Sequence, residues 1–445
     1  MKNSLLQTAE IAGMSPDLPE AFRIELLGEL FLSGDTRTYS PHSGVVAGLG
    51  ERYRLGASLS FPFPGLSGFH LPESAIRRTA ISEPESDSPV LWVHPDSLEK
   101  HGLKNRERLE TRDRRIIDFY PLASQRAVLF QDDTGWRRAK LHLQDVQISR
   151  YFRNLGGMTI FHCVQVSRDL KEHWQKITAA YQAEGTSLLP GIILDEAGTV
   201  LKNTGLDDGS RAGEWGSIDR SFTPLGLPTS WIPLPLFAFY GNNILSGQTS
   251  LRPLAAELAT ASGSDPEEWL FRFLMEPVIR LWIAVFKTTG MIWEPHGQNV
   301  VMMCDPETLM PRGVAFRDPD TAIAETLRTQ LGLSSDVFFE RNRHDNRPTR
   351  EMPEGARSEI SRVIDISMGL NTFDYLARLF ELDFGCSPAA LRERSRHLFT
   401  RLLPDWDQWF PPAVYGYAKH PLPEDRNCYP LEVRDGYLPH WRPAG

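Results

Sequence analysis

The stretch Trp293-Glu294-Pro295-His296-Gly297-Gln298-Asn299, with Phe316-Arg317-Asp318 after it, gathers six polar functional groups at the ends of two short apolar runs. The runs 300–304 and 313–317 are expected to pair as strands, joined by a turn over 305–312, so that groups from both strands surround one ligand. Glu294 and Asp318 suit Mg2+, which prefers hard oxygen ligands and usually keeps phosphate oxygens in its shell. The same residues also fit a capped hairpin with a salt bridge, because structural ion pairs concentrate polar residues at strand ends too.

Immediately upstream, Asp265-Pro266-Glu267-Glu268 supplies a cap, an N1 proline and first-turn acids for a helix running to Thr289, kinked at Pro277 and ended by Gly290. The segment 269–292 is the most hydrophobic of the chain. It contains Arg272, Glu276, Arg280 and Lys287, each costly at a bilayer centre, and so reads as a buried helix and not a membrane span. Further out, the runs 90–93, 116–120, 126–130 and 139–148 predict a mostly antiparallel sheet, with a change of phase around Asp145 that fits a bulge. A helix is expected from Gly157 through Ile177, strands over 191–195 and 236–240, and an amphipathic helix over 15–32. Residues 34–88, rich in Gly, Pro and Ser, read as loops and short strands. Helices are expected over 357–382 and 388–403, ahead of an irregular Pro-rich tail.

A chain of 445 residues with 41% apolar and 24% charged residues should fold as a multi-lobed globular protein. Its formal charge of -9 and lack of a basic block exclude nonspecific nucleic-acid binding, which needs clustered cations. Residues 1–12 hold one lysine and no apolar run of signal-peptide length, so a cytoplasmic protein is expected. Cys163, Cys304, Cys386 and Cys428 are isolated and form no CxxC pair. His162, His173, His344 and His420 have no partner at metal-ligand spacing and read as ordinary histidines. The charged run 341–350 reads as a solvated loop in preference to a lid.

The Glu294, His296-Gly297-Gln298-Asn299 and Arg317-Asp318 motifs resemble those of the siderophore synthetases that work independently of nonribosomal peptide synthetases, the IucA/IucC-like family. A second match lies upstream. Val93-His94-Pro95 resembles the family's histidine-proline segment, and Ser124-Gln125-Arg126 its serine-x-arginine strand. Lys140, Ser149 and Arg153 resemble the lysine, threonine and arginine that follow, with serine in place of threonine and one extra residue before it. The family's upstream motif of two His-Pro pairs and a lysine has no counterpart before Val90; His42, after Ser40-Pro41, is the substitute candidate.

The resemblance implies an α+β, cupped-hand fold: a reduced N-terminal lobe over 1–88, a sheet-rich antiparallel ATP-binding lobe over 89–245, and a largely helical C-terminal lobe over 246–445. It implies ATP and Mg2+ as cofactors, a homodimer, and small-molecule substrates: a citrate-like polycarboxylate and an amine or alcohol. Ser124, Arg126, Lys140, Ser149, Arg153, Gln298 and Asn299 would hold nucleotide; His296, Asn299 and Arg317 the carboxylate; Glu294 and Asp318 the metal. Lys140, Arg153 and His296 would act in catalysis. The expected chemistry is attack of a carboxylate on the α-phosphorus, then displacement of AMP by the nucleophile, with positioning and electrostatics supplying most of the rate.

Three other readings compete. A kinase loop also opens with His-Gly, but Gln298 stands where its catalytic Asp would be, and a kinase would release ADP. A ferric-siderophore reductase needs paired cysteine ligands for a two-iron cluster, which these dispersed cysteines do not offer. A degenerate binding or scaffold protein of the same fold would not turn ATP over.

Overall fold

The structure, a computed structural model, describes residues 2–11, 13–30, 46–47, 62–82, 90–100, 114–148, 151–183, 185–202, 214–241, 253–345, 347–348, 354–417, 431–433 and 438–444. Their centre is an eight-stranded sheet, antiparallel throughout. In spatial order it runs Ile76–Ala80, Asp195–Leu201, Gly216–Arg220, Gly135–Leu141, Ala127–Asp132, Arg114–Pro121, Phe63–His70 and Val90–Val93. The antiparallel sheet expected from the four runs is there, joined by strands from either side of them in sequence. It draws strands from both sides of residue 88, so that position is not a break between sheets.

The expected run 139–148 does not form one bulged strand. The strand stops at Leu141, Asp145 turns the chain with φ 52, and Gln147–Ile148 pairs in a separate small sheet with Tyr151–Phe152 and Val46–Ala47. The phase change marks a passage between sheets.

A second sheet of four strands carries the hairpin: Leu189–Ile192, Pro311–Phe316, Val300–Cys304 and Ile232–Pro235 in that order. Only its outer pair, Leu189–Ile192 with Pro311–Phe316, is parallel. The strand expected at 236–240 is instead the short helix Phe237–Tyr240. The Leu236 amide donates to the Val300 carbonyl and the Phe237 amide to that of Gly297, which ends the ladder at Pro235. A short apolar run is buried in either conformation, so periodicity does not distinguish them.

The expected helices at 15–32 and from Gly157 appear as Glu20–Leu30 and Gly157–Gln182; a further helix, Lys2–Ile11, precedes them. Asp265 caps its helix through the Glu268 amide at 2.8 Å, and Gly290 ends it with φ 70. Between Pro266–Leu270 and Glu276–Thr289 lies a π-helical turn, Phe271–Met275. It sits where Pro277, lacking an N–H, leaves the carbonyl four residues earlier without its α-helical donor. The helix expected over 357–382 is continuous but changes winding: Ala356–Ser361 is α, Arg362–Phe373 π and Asp374–Phe384 α, followed by Pro388–Leu402.

One apolar core extends from Leu5 and Leu27 through Trp282 and Val300 to Trp441. It ties the N-terminal helices, the hairpin sheet and the C-terminal helices together. Among the described residues no helix is long and apolar enough to cross a membrane. His42, Ser149, His420 and Cys428 lie outside the described residues.

Candidate functional site

The hairpin pairs Val300 with Phe316, so the turn that enters its first strand and the residues that leave its second lie at one end. The turn closes on His296, whose carbonyl accepts from the amides of Asn299 and Val300 at 2.9 and 3.1 Å while its Nδ1 accepts from the Gln298 amide at 3.2 Å. With Nδ1 an acceptor, the neutral ring carries its proton on Nε2. A Cβ at Gly297 would stand 2.2 Å from Tyr240 Oη, so this position in the turn takes only glycine. Arg317 ties the two strand ends: its amide donates to Asn299 O at 2.9 Å and its Nε to Gln298 O at 2.7 Å. Asp318 follows with φ 70, a left-handed backbone unusual outside glycine and one of the places where strain gathers at functional sites.

Glu294 is held from the C-terminal helices. Arg362 Nη1 and Ser367 Oγ both donate to its Oε1, at 2.8 and 3.0 Å. Residues five apart point in different directions on an α-helix but share a face on the wider π turn, so the winding of Arg362–Phe373 lets both reach one oxygen. Arg362 also grips Glu359 with two bonds, at 2.6 and 2.9 Å. Burial alone would raise the Glu294 carboxyl, but the attraction of Arg362 and His296 and the two donated bonds outweigh it and lower it to about 2.

The large sheet supplies the opposite wall. Register pairs Ala127 with Lys140, which puts Arg126 beside the end of the Lys140 strand, where the Leu141 amide donates to its carbonyl at 2.7 Å. Arg153 is held alongside by backbone bonds to Val146 and Leu143. In the Ser124-Gln125-Arg126 turn, Ser124 Oγ accepts from the Ala127 amide at 3.1 Å and Gln125 has φ 59. The buried Nε of Arg126 has no hydrogen-bond partner among the described residues. Burial pushes the Arg126 guanidinium below its ordinary value, partly offset by Asp318.

The two walls meet at a small cavity of about 20 Å3. Ser124, Arg126, Lys140 and Arg153 line it from the sheet, and Gln298, Asn299, Arg317 and Asp318 from the hairpin. Glu29 and Arg220 complete the wall, so five cations face two carboxylates. Lys140 forms an ion pair with Asp318, and Arg220 bridges Asp195 at 2.7 Å and Asp318 at 3.6 Å. Burial works against the Asp318 carboxylate, but Lys140, Arg220 and Arg126 hold its pKa far below the usual range. Burial lowers the His296 imidazole, opposed by Glu294 and Asp318, which favours the neutral ring.

Of the residues expected to share a site, eight line this cavity. His296 and Glu294 are not in its lining, though the His296 ring feels Glu294, Asp318, Arg317 and Arg153. His94, from the second match, accepts the Asp96 amide on Nδ1 at 3.2 Å at the start of the Pro95–Lys100 helix. Sequence reasoning missed Glu29, Arg220 and Arg362, whose places depend on contacts across 288, 98 and 68 residues. A far larger cavity, about 750 Å3, lies elsewhere against the sheet and holds none of the expected site residues.

The chain is similar to the ATP-bound aerobactin synthetase IucA from a hypervirulent pathotype of Klebsiella pneumoniae, with a TM-score of 0.64 over 94% of this chain and 77% of that one, at 15% identity. This is the siderophore-synthetase fold. Aerobactin synthetase IucC from the same source matches at 0.62 over 92% and 80% of the two chains, at 14% identity. The petrobactin biosynthesis protein AsbB from Bacillus anthracis str. Sterne matches at 0.63 over 93% and 75%, also at 14%. No protein-family model matches the chain, and no curated protein matches it. At these identities the likeness is one of fold.

Proposed function

We propose that this protein is an ATP-dependent ligase of siderophore-type biosynthesis that adenylates a citrate-like polycarboxylate and condenses it with an amine or hydroxyl, releasing AMP and pyrophosphate. The observation that carries the reading is the cavity where five cations face two carboxylates and the buried Nε of Arg126 has no partner among the described residues. A buried N–H donor is costly unless an acceptor, best of all an anion, meets it. A polyphosphate is such an anion, and the structural likeness to an ATP-bound synthetase supports the choice.

In this reading Ser124, Arg126, Lys140, Arg153, Gln298 and Asn299 bind nucleotide, with Ser149 as a further contact. Arg offers planar, multidentate recognition of phosphate and Lys a point charge, and together they balance the charge that develops as pyrophosphate leaves. Lys140, paired with Asp318, would exchange that carboxylate for phosphate as nucleotide binds. His296, neutral and protonated on Nε2, donates toward the substrate carboxylate, with Asn299 and Arg317 beside it. A carboxylate oxygen then attacks the α-phosphorus as the bond to pyrophosphate breaks. The amine or hydroxyl next attacks the acyl carbon, AMP departs with the bonding pair, and the nucleophile's proton passes to solvent.

Asp318, depressed and lining the cavity, fits Mg2+ as a hard oxygen donor. Glu294 is ionised too, but its Oε1 is held by Arg362 and Ser367. Bound there, Mg2+ would neutralise phosphate charge. A cytoplasmic homodimer belongs to the same proposal, with lobes near 1–88, 89–245 and 246–445, the first two sharing the eight-stranded sheet. The test is a screen of carboxylate and amine or alcohol pairs for AMP and pyrophosphate, with mass spectrometry of the products. Release of ADP instead would overturn adenylation.

A further inference from the structure

The N-terminal helix Glu20–Leu30 delivers two carboxylates, Glu25 and Glu29, four residues apart and so on one face. Both are buried, at 3% and 1% exposure. The helix comes in close because residue 28 is glycine: a Cβ there would stand 2.6 Å from Leu234 on the strand Ile232–Pro235. The two carboxylates meet different partners. Glu25 pairs with Arg138, and neither lines the cation-rich cavity. Glu29 lines it.

Each oxygen of Glu29 holds one wall of that cavity. Oε1 accepts from Arg317 Nη1 at 2.6 Å, and the same Arg317 donates through Nε to Gln298 O in the hairpin turn. Oε2 accepts from the Ala123 amide at 3.1 Å, next to Ser124 and three residues before Arg126. We propose that Glu29 is a positioning residue of the nucleotide site: one buried carboxylate sets the spacing between the Ser124–Arg126 turn and the Arg317–Asp318 strand end. It acts through Arg317 and the Ala123 amide. The proposal rests on the nucleotide reading above and adds a residue of the helix Glu20–Leu30, to which no site role was given.

Glu25 is the built-in control: it is equally buried, on the same helix and in an ion pair with Arg138, and although it lines an adjoining cavity with Glu29 and Arg317, it bonds neither wall of this one. The experiment compares the full-length wild type with Glu29→Gln and Glu25→Gln. It uses calorimetric titration with ATP and Mg2+, thermal melting, and hydrogen exchange read by mass spectrometry. Glutamine keeps the length of the side chain and one carbonyl acceptor, and loses the charge on Arg317. Glu29→Gln is expected to weaken ATP binding about tenfold or more, the scale of one charge-assisted hydrogen bond, with Glu25→Gln within about twofold of wild type. Exchange in Glu29→Gln should rise over 122–127 and around 298–299 and 317, and stay unchanged on the far strands of the sheet.

Equal loss of ATP affinity in the two variants, or exchange rising evenly along the chain, would mean that Glu29 only anchors its helix and would overturn the proposal. Wild-type affinity in Glu29→Gln would do the same. If the wild type binds no ATP, the nucleotide reading fails on its own. The exchange pattern then still decides whether Glu29 couples the two walls.

Discussion

On the hairpin side of the site, Glu294 is fixed by Arg362 and Ser367, Arg317 by Gln298 and Glu29, and His296 by its own turn. On the sheet side, Arg126 brings a buried Nε with no partner among the described residues. One wall is finished before any ligand arrives, whereas on the other Arg126 shares the Asp318 carboxylate with Lys140 and Arg220 and keeps one buried donor unused. Groups already bonded contribute to stability whether or not substrate is present. A buried donor held without an acceptor lowers stability until a ligand supplies one. The two walls should therefore respond differently to mutation.

The largest effect is expected at Arg126. Arg126→Ala should reduce AMP formation by about 10²–10³-fold, the scale of one preorganised charge-stabilising donor. It should leave the melting temperature of the ligand-free protein unchanged or raised. Paired measurements of AMP release and thermal melting check this; a large drop in both would erase the contrast between the walls.

Arg362→Ala comes next and should move both readouts. Loss of its bonds to Glu294 and Glu359 should cost on the order of 2 kcal/mol in urea unfolding, as for hydrogen bonds to charged groups, together with a fall in AMP formation. Ser367→Ala removes one bond to the same oxygen and should follow in the same direction by about 1 kcal/mol. If Ser367→Ala has no effect while Arg362→Ala does, the π winding is not what positions Glu294.

How much of this could be read from the sequence follows from chain distance. The hairpin wall was legible because Glu294, His296, Asn299, Arg317 and Asp318 flank two adjacent strands, and Asp265 and Gly290 punctuate the helix before them. Lys140 and Arg126 were legible as a pattern, and strand register brings them together. Glu29, Arg220 and Arg362 were not, since nothing local marks a buried carboxylate on an N-terminal helix as the partner of an arginine 288 residues away. The π winding was hidden as well, because over twelve residues its apolar spacing resembles that of an α-helix. The strand expected at 236–240 failed for the related reason that full burial removes the alternation that distinguishes strand from helix.

Acid should distinguish the walls further. Glu294 is lowered to about 2 from its ordinary 4.5, so its contribution to stability is fully present above the ordinary value and is lost as pH falls through the folded one. Urea unfolding between those values should show the wild type losing stability more steeply than Glu294→Gln. Parallel curves would mean that Arg362 does not hold the carboxylate ionised in solution.

The smallest effect on turnover is expected in the larger cavity, where size alone would have placed the chemistry. Several of its charges are matched inside the protein: Arg137 bridges Asp132 at 3.2 Å and Asp219 at 2.9 Å, and Arg115 reaches Asp133 at 2.7 Å. Burial raises the Asp219 carboxyl and Arg137 opposes the rise, so that pair serves its own neutralisation. Arg137→Ala should therefore lower the melting temperature by leaving Asp219 without its cation, while AMP formation per folded molecule stays within about twofold of wild type. A tenfold loss of AMP formation at unchanged stability would move the nucleotide to this face, because a matched ion pair has no reason to affect turnover unless substrate meets it.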